Sequence, residues 1–412
     1  MRKIYFVFIL ILYFFNISII NAVDISKAYD YSYEEVNVDI TSKHVMLYNL
    51  TDNYKLLDIN GNEKVQIASL TKIMTSIVAI ENIKNLDDKV TIKSNVFNGI
   101  SEYSKAGFNV GNKVSYRDLL YGIMLPSGAD AVRAIILNIS DSEDKFIELM
   151  NNKAKELGLT NTHFDNGIGM DSKDNYSTAS DMAVILNYAL ENEEFKKIFT
   201  TKKYTVDSVG LKFESTLSLY GGNMDTSFIN GSKSGFTDGA GVCLASIASV
   251  NDVDYLLIVL GSNAKNRSNA VRDSVDIYNY FGKNYSYKVL LDKNHVIKKI
   301  KVKWGKKKTY DIKVSNDIKK YVKNNVSDDD LKYVYDGIEE LKYSIKKGSK
   351  LGKVDVIYKG KVIGSEDIYL NEELKYYHPV VYGIMILSFV AMISSLVSIK
   401  KQKRKKRKKK KK

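Results

Sequence analysis

Residues Ile67–Glu81 read IASLTKIMTSIVAIE. Ile67, Ala68, Leu70, Ile73, Met74, Ile77, Val78 and Ile80 go nearly all the way round a helix. A helix with so little polar face belongs inside a protein. Ser69 and Lys72 do not fit that burial: they stand three apart near the start, neighbours on one helical face. A serine hydroxyl is a poor nucleophile at neutral pH and needs a base. A lysine in water, with a pKa of about 10.4, is no base. Burial against apolar neighbours disfavours the ammonium and lowers that value. A lysine one turn from a serine in an apolar helix is therefore a candidate general base for a candidate nucleophile. The alternative is a helix-capping serine beside a lysine that reaches out to solvent.

Two later stretches bear on the choice. LPSGAD places Ser127-Gly128-Ala129 in a turn after an apolar helix, and NGSKSGFT places Lys233-Ser234-Gly235 on a strand bordered by glycines. Such a strand lets a ligand backbone approach closely. Serine-x-x-lysine, then serine, then lysine-hydroxyl-glycine, in that order over some 165 residues, is the ordered set of penicillin-binding proteins and class A β-lactamases. On these motifs the chain resembles a low-molecular-mass penicillin-binding protein, a serine-type D-alanyl-D-alanine carboxypeptidase. MNNKAKELGLTNTHFDNGIGM (150–170), YSTASDMA (176–183) and AGVCLASIA (240–248) extend the likeness over most of 35–283. KKGSKLGKVDVIYKGKVIG, Lys346–Gly364, resembles the small β domain that follows in many members.

The resemblance implies the penicillin-recognising serine transpeptidase/β-lactamase-like fold, α+β, with an antiparallel sheet against a helical layer. It implies that Ser69 attacks the carbonyl between the last two D-alanines of a peptidoglycan stem peptide, and that Lys72 takes its proton. Ser127 would relay a proton to the leaving D-alanine. Lys233 and the Ser234 hydroxyl would hold the terminal carboxylate, where fixed positive charge suits an anion, with Gly235 in the same substrate-binding stretch. The backbone N–H groups of Ser69 and Phe236 would form the oxyanion hole, and Thr237 would add a substrate contact. β-Lactam antibiotics would enter the same path as inhibitors and stall as acyl-enzymes. No cofactor and no metal is implied; His44, His163, His295 and His378 are scattered without ligand spacing.

The chain departs from the family pattern in three places. The second motif usually ends in asparagine, whose amide helps to hold the substrate and order the lysines; here it is Ala129. Asp130 follows and is not assigned that role. Ser234 replaces the usual threonine and keeps the hydroxyl, and Asn175 stands where many members have histidine. Ala129 is the support for a second reading, a wall-peptide-binding protein without turnover, against which stand the retained Ser69, Lys72, Ser127 and Lys233. A β-lactamase would need a water-activating carboxylate, and no glutamate between Ser127 and Lys233 has a convincing match. D,D-endopeptidase action on crosslinks would use the same residues.

Around these motifs, 116–139, 145–159 and 178–199 read as helices, the last as one helix begun by Thr178. FINGSKSGF, GVCLASIASV and DYLLIVLGS read as strands, the last two joined at Asn251-Asp252 as a hairpin. Strands at both ends with helices between them point to α+β. Beyond residue 284 short alternating segments point to a small all-β domain at 285–375, in which Asn316–Glu340 is the hardest stretch to assign. Cys243, the single cysteine, lies in an apolar run and reads as core packing.

The ends place the chain. Residues 1–22 carry a basic start and an apolar run, and read as a secretory signal, leaving 23–284 as the peptidase domain. Val380–Ile399, within a helix at 379–399, has no charge over twenty residues, about what a bilayer-spanning helix needs. Residues 400–412 hold twelve basic residues in thirteen and read as a cytoplasmic tail against anionic lipid. Without them the net charge of +14 falls to +2, which excludes a basic nucleic-acid-binding body. The expectation is a single-pass membrane protein with its catalytic domain on the outer face.

Overall fold

A computed structural model describes residues 29–30, 35–140, 142–377 and 379–409; the expected signal at 1–22 lies outside them. The chain divides between Lys283 and Asn284 into two compact units.

The first unit contains β1 (Tyr29–Asp30), β2 (His44–Asn49), β3 (Tyr54–Ile59), α1 (Thr71–Asn82), β4 (Lys89–Thr91), β5 (Lys113–Ser115), α2 (Tyr116–Met124), α3 (Ala129–Ile139) and α4 (Glu143–Glu156). Then come α5 (Ala179–Leu190), α6 (Glu193–Thr200), β6 (Lys203–Val206), β7 (Leu211–Glu214), α7 (Thr216–Gly221), β8 (Ile229–Thr237), β9 (Gly241–Val250), β10 (Val253–Ser262) and α8 (Asn269–Asn284). Six strands form one sheet in the order β1-β3-β2-β10-β9-β8. Every neighbouring pair is antiparallel except β1 with β3. Asn251 and Asp252 turn β9 into β10 with φ of 51° and 61°, the left-handed pair that a two-residue hairpin requires.

Strand β10 is an unbroken apolar run because both of its faces are covered. Leu256, Ile258 and Leu260 join the core around α1 and α5. Tyr255, facing the other way, meets the Tyr278 ring of α8 at 5.9 Å, and the Tyr278 hydroxyl lies 2.9 Å from Ser246 Oγ on β9. Helix α1 is the centre of the helical layer. Each residue from Thr71 to Ile80 is buried, and helices α2 to α6 all touch it. The all-round apolar pattern of 67–80 thus reports a helix enclosed on every side.

Two local expectations need correction. The helix does not begin at Ile67: Ala68–Leu70 form a 3-10 turn, with Ala68 at φ +48°, before α1 starts at Thr71. The expected single helix 178–199 is two. Thr178 Oγ1 caps α5 by accepting the Asp181 N–H at 2.9 Å; the chain then breaks at Glu191-Asn192, and Asn192 Oδ1 caps α6 through the N–H groups of Glu194 and Phe195. The half-buried Asn192 cap outcompetes continuation because it satisfies backbone donors that a helix start leaves open.

The second unit holds β11 (Tyr285–Leu291), β12 (Lys298–Val302), β13 (Thr309–Ile312), β14 (Ile318–Lys323), β15 (Leu331–Gly337), β16 (Glu340–Leu341), β17 (Lys350–Tyr358), β18 (Lys361–Tyr369) and α9 (Pro379–Lys409). The strands make three small sheets, β11-β14, β13-β12-β16 and β15-β17-β18, around buried Ile300, Ile312, Leu341, Val354, Val356 and Ile363. The difficult stretch 316–340 resolves into β14, a short 3-10 turn at Asp328–Asp330 and β15. Helix α9 runs without a break from the apolar residues into the basic ones, and among the described residues it is the one helix long and apolar enough to cross a membrane.

The start of the sheet is held by one buried carboxylate. Asp273 of α8, 1% exposed, accepts from the N–H groups of Thr41 (3.1 Å) and Ser42 (2.7 Å) and from both hydroxyls through Oδ2. Asp273→Ala strands those donors and is expected to destabilise the protein by about 3 kcal/mol. A lowered urea midpoint checks this.

Candidate active site

The 3-10 turn at 68–70 sets Ser69 two residues before α1, and Lys72 in the first turn of α1 reaches back to it. Lys72 Nζ donates to Ser69 Oγ at 3.0 Å and to the Ile168 carbonyl at 2.5 Å. Lys72 is 1% exposed. Burial pushes its pKa down to about 7, against a smaller opposing pull from Asp130. The capping-serine, solvent-reaching-lysine alternative is excluded by this geometry.

The carbonyl at Ile168 is presented by the loop DNGIGM. Asn166 Oδ1 accepts the N–H groups of Gly169 (2.7 Å) and Met170 (2.9 Å), and Thr75 Oγ1 on α1 donates to the Gly167 carbonyl at 2.8 Å. Gly169, at φ +87°, has no room for a side chain: a Cβ there would lie 2.0 Å from the Ala68 carbonyl oxygen. Asn175 is buried and donates to Thr71 Oγ1 at 3.3 Å. It is a support under the start of α1.

Ser127 occupies the corner between α2 and α3 at φ +65°. Its Oγ accepts from Lys233 Nζ at 2.9 Å, and Lys233 also donates to the Ser234 carbonyl at 2.6 Å. Lys233 on β8 has no exposed surface. Burial holds its pKa well below the ordinary lysine range, and the charge of Lys72 pushes the same way. The Ser234 hydroxyl lies 2.7 Å from Thr216 Oγ1. Gly235 runs against the start of α1: a Cβ there would stand 3.0 Å from the Ser69 nitrogen and 3.1 Å from Ala68 Cβ.

Ser69, Lys72, Ser127 and Ser234–Thr237 line one cleft of about 600 Å³, with Lys233 buried behind Ser127. Strand β8 is the edge of the sheet, so this cleft borders an open strand. The loop after β4 supplies Glu102, Tyr103 and Ser104, and α7 supplies Thr216 and Tyr220.

Asp130, Ala129 and Arg267 were given no positive role from sequence. Asp130 is 1% exposed, and its carboxylate accepts the N–H groups of Ala106 (2.7 Å), Gly107 (3.0 Å), Phe108 (3.1 Å) and Ala131 (3.0 Å). It therefore ties the loop carrying Ser104 to the first turn of α3. Ala129 adds its own N–H to the Ser104 carbonyl at 2.7 Å, and its side chain is fully enclosed. Arg267, exposed after β10, lies over the Phe236 ring and lines the cleft. Nothing in NAKNRSNA marks that arginine, whereas an acid at the start of an apolar helix is a signal that could have identified Asp130 as a backbone-binding carboxylate.

Residues 31–264 match the peptidase S11 family, D-alanyl-D-alanine carboxypeptidase. The chain belongs to this family. Residues 285–376 match the C-terminal domain of penicillin-binding protein 5. The chain is 30% identical to the D-alanyl-D-alanine carboxypeptidase DacF of Bacillus subtilis over 78% of its own length and 82% of that protein. Among solved structures it is similar to penicillin-binding protein 5 of Haemophilus influenzae, with a TM-score of 0.61, 26% identity and coverage of 83% and 100% of the two chains. It is similar to the Streptomyces K15 DD-transpeptidase over 60% of this chain and 98% of that one, with a TM-score of 0.54 and 30% identity.

The close passage of Gly235 against the Ser69 nitrogen generates a prediction. Gly235→Ala pushes β8 from Ser69, and labelling by a fluorescent penicillin is expected to slow by about 100-fold, the scale of losing one oxyanion donor. Circular dichroism of the same variant should match the parent.

Proposed function

We propose that this protein removes the terminal D-alanine from peptidoglycan stem peptides through an acyl-enzyme on Ser69, and that β-lactams inhibit it at the same serine. The observation that carries the reading is the contact between a desolvated Lys72 and Ser69 Oγ at 3.0 Å. Neutral Lys72 accepts the hydroxyl proton as Ser69 Oγ bonds to the carbonyl carbon of the penultimate D-alanine. The charge that develops on the carbonyl oxygen falls to the N–H groups of Ser69 and Phe236. As the tetrahedral adduct collapses, the C–N bond breaks, and the proton passes by way of Ser127 to the leaving amine of D-alanine. Water then attacks the ester, Lys72 again takes a proton, and Ser69 is restored.

Lys233, the Ser234 hydroxyl, Thr237 and Arg267 hold the carboxylate of the terminal D-alanine. A bound carboxylate counters the burial of Lys233 and favours its charged form. The open edge of β8 gives an extended peptide a partner for its backbone. In a β-lactam the leaving nitrogen stays tethered after the ring opens, so the product cannot depart and the ester persists.

The helix at 380–399 is the anchor in this reading, with the basic tail on the cytoplasmic side, where positive charge is retained. The peptidase domain and the small β domain then lie on the outer side, toward the wall.

The proposal is tested by D-alanine release from a peptide ending in Lys-D-Ala-D-Ala, with Ser69→Ala as the blank. Release that disappears in the variant is the expected outcome; release equal in both would sink the reading. The pH dependence follows from Lys72. Below about 7 the ammonium cannot accept a proton, so the acylation rate should rise with pH, reach half its plateau near 7 and then level off. Lys72→Arg, which stays protonated throughout, should abolish acylation at every pH at which the protein is folded.

A further inference from the structure

The single tryptophan of the chain, Trp304, is 55% exposed. It stands at the corner of the turn Val302–Gly305 after β12, closed by the Gly305 N–H on the Val302 carbonyl at 3.2 Å. Its φ is +61°, a left-handed conformation that a bulky residue adopts at a cost and that turns usually give to glycine. Gly305 cannot trade places with it, since a Cβ at 305 would lie 2.4 Å from Val302 Cγ1 and 2.6 Å from the Lys307 carbonyl oxygen. The fold thus holds its most interface-seeking side chain outward, under strain, without gaining core burial. Lys303, Lys306 and Lys308 around it are exposed, and among the described residues none has a carboxylate partner. Lys307 is paired with Glu372 at 2.7 Å.

The turn is fastened to the segment that leads into the apolar helix. Tyr377 donates its N–H to the Trp304 carbonyl at 2.6 Å, Lys306 donates to the Lys375 carbonyl at 2.8 Å, and Gly305 bridges Tyr376. The apolar run begins at Val380, three residues after Tyr377, so it starts within about 11 Å of Tyr377 even at full chain extension. The Tyr376 ring meets Tyr343 edge-on at 6.2 Å, and Lys308 Nζ lies 5.6 Å from the centre of the Tyr377 ring. Amphipathic aromatic rings and lysines gathered at one level beside an apolar helix are what the water–bilayer boundary favours.

We infer that the 302–308 turn is a membrane-docking element, in which Trp304 seats among phospholipid headgroups and Lys303, Lys306 and Lys308 meet their phosphates. The inference rests on the reading of 380–399 as the anchor and adds a second point of contact to it. One helix alone leaves the β unit free to tilt over the bilayer; a seated turn fixes which of its faces looks down. A soluble acidic partner would match the lysines, but it would not account for a tryptophan held at a distance set by the apolar helix.

Because Trp304 is the only tryptophan, its fluorescence reports this turn and nothing else. The full chain is reconstituted into vesicles of phosphatidylcholine mixed with phosphatidylglycerol, and its retention after an alkaline carbonate wash is recorded first. Lipids brominated near the headgroup end of the acyl chain are expected to quench Trp304, and the vesicles to shield it from acrylamide. The triple variant Lys303→Gln, Lys306→Gln, Lys308→Gln should lower the bromolipid quenching several-fold. A retained protein whose Trp304 is open to acrylamide and untouched by bromolipid would overturn the docking inference alone. Extraction by carbonate would overturn the anchor and the inference together.

Discussion

The desolvation of one ammonium group, that of Lys72, is the constraint on which the rest of the first unit depends. Bringing the pKa of a lysine from its ordinary value to about 7 is worth roughly 5 kcal/mol against folding at neutral pH. The unit meets that cost by enclosing α1 on every side. It also keeps carboxylates off the lysine. The one acid that acts on it, Asp130, is occupied by four backbone N–H groups, so its charge is spent on a loop rather than on an ion pair that would hold Lys72 protonated. The sign of the linkage follows. Between about 7 and the ordinary lysine pKa the unfolded chain binds the proton that the native state has given up, so stability rises with pH across that window.

The same enclosure dictates the glycines. A nucleophile at the start of a buried helix is reachable only if other backbones pass close to it. Gly169 and Gly235 do so from two directions, each at a spacing that a Cβ would close. Ala68 and Ser127 complete the approach in left-handed conformations, each costing about 1–2 kcal/mol for a residue with a Cβ. Among the described residues of the first unit other than Gly, Asn and Asp, positive φ thus falls at Ser127 and next to Ser69, where placement of a hydroxyl has a use.

Much of this was legible in the sequence. The all-round apolar pattern of 67–80 marked a buried helix, the run DYLLIVLGS a strand, and Asn251-Asp252 a tight hairpin. These signals are local and periodic. The order of Ser69, Lys72, Ser127 and Lys233 matched the ordered motif set of penicillin-binding proteins, and that resemblance pointed to one cleft. What stayed hidden depends on chain segments distant from one another. The Ile168 carbonyl on Lys72, the grip of Asp130 on residues 106–108 and the place of Arg267 arise from loops whose sequences carry no period. The break at Glu191-Asn192 was missed for a different reason: an apolar pattern at helical spacing continues across it, and only the side-chain cap at Asn192 tells one helix from two. The 3-10 turn before α1 has the same apolar composition as the helix it precedes, so nothing in IASL distinguishes them.

Ala129 shows how the second motif can lose its usual amide and keep its shape. Three tasks meet at that corner. The Ser127 hydroxyl is oriented by Lys233 Nζ. The loop carrying Ser104 is tied down by the Asp130 carboxylate and by the Ala129 N–H. Neither task uses the side chain at 129, and that side chain is fully enclosed. The task left over is contact with the substrate's own amide, and the open edge of β8 across the same cleft offers backbone groups for it. In the proposed mechanism substrate recognition therefore moves toward the strand, while the proposed proton path from Ser69 through Lys72 and Ser127 uses contacts that are in place at Lys72–Ser69 and Lys233–Ser127.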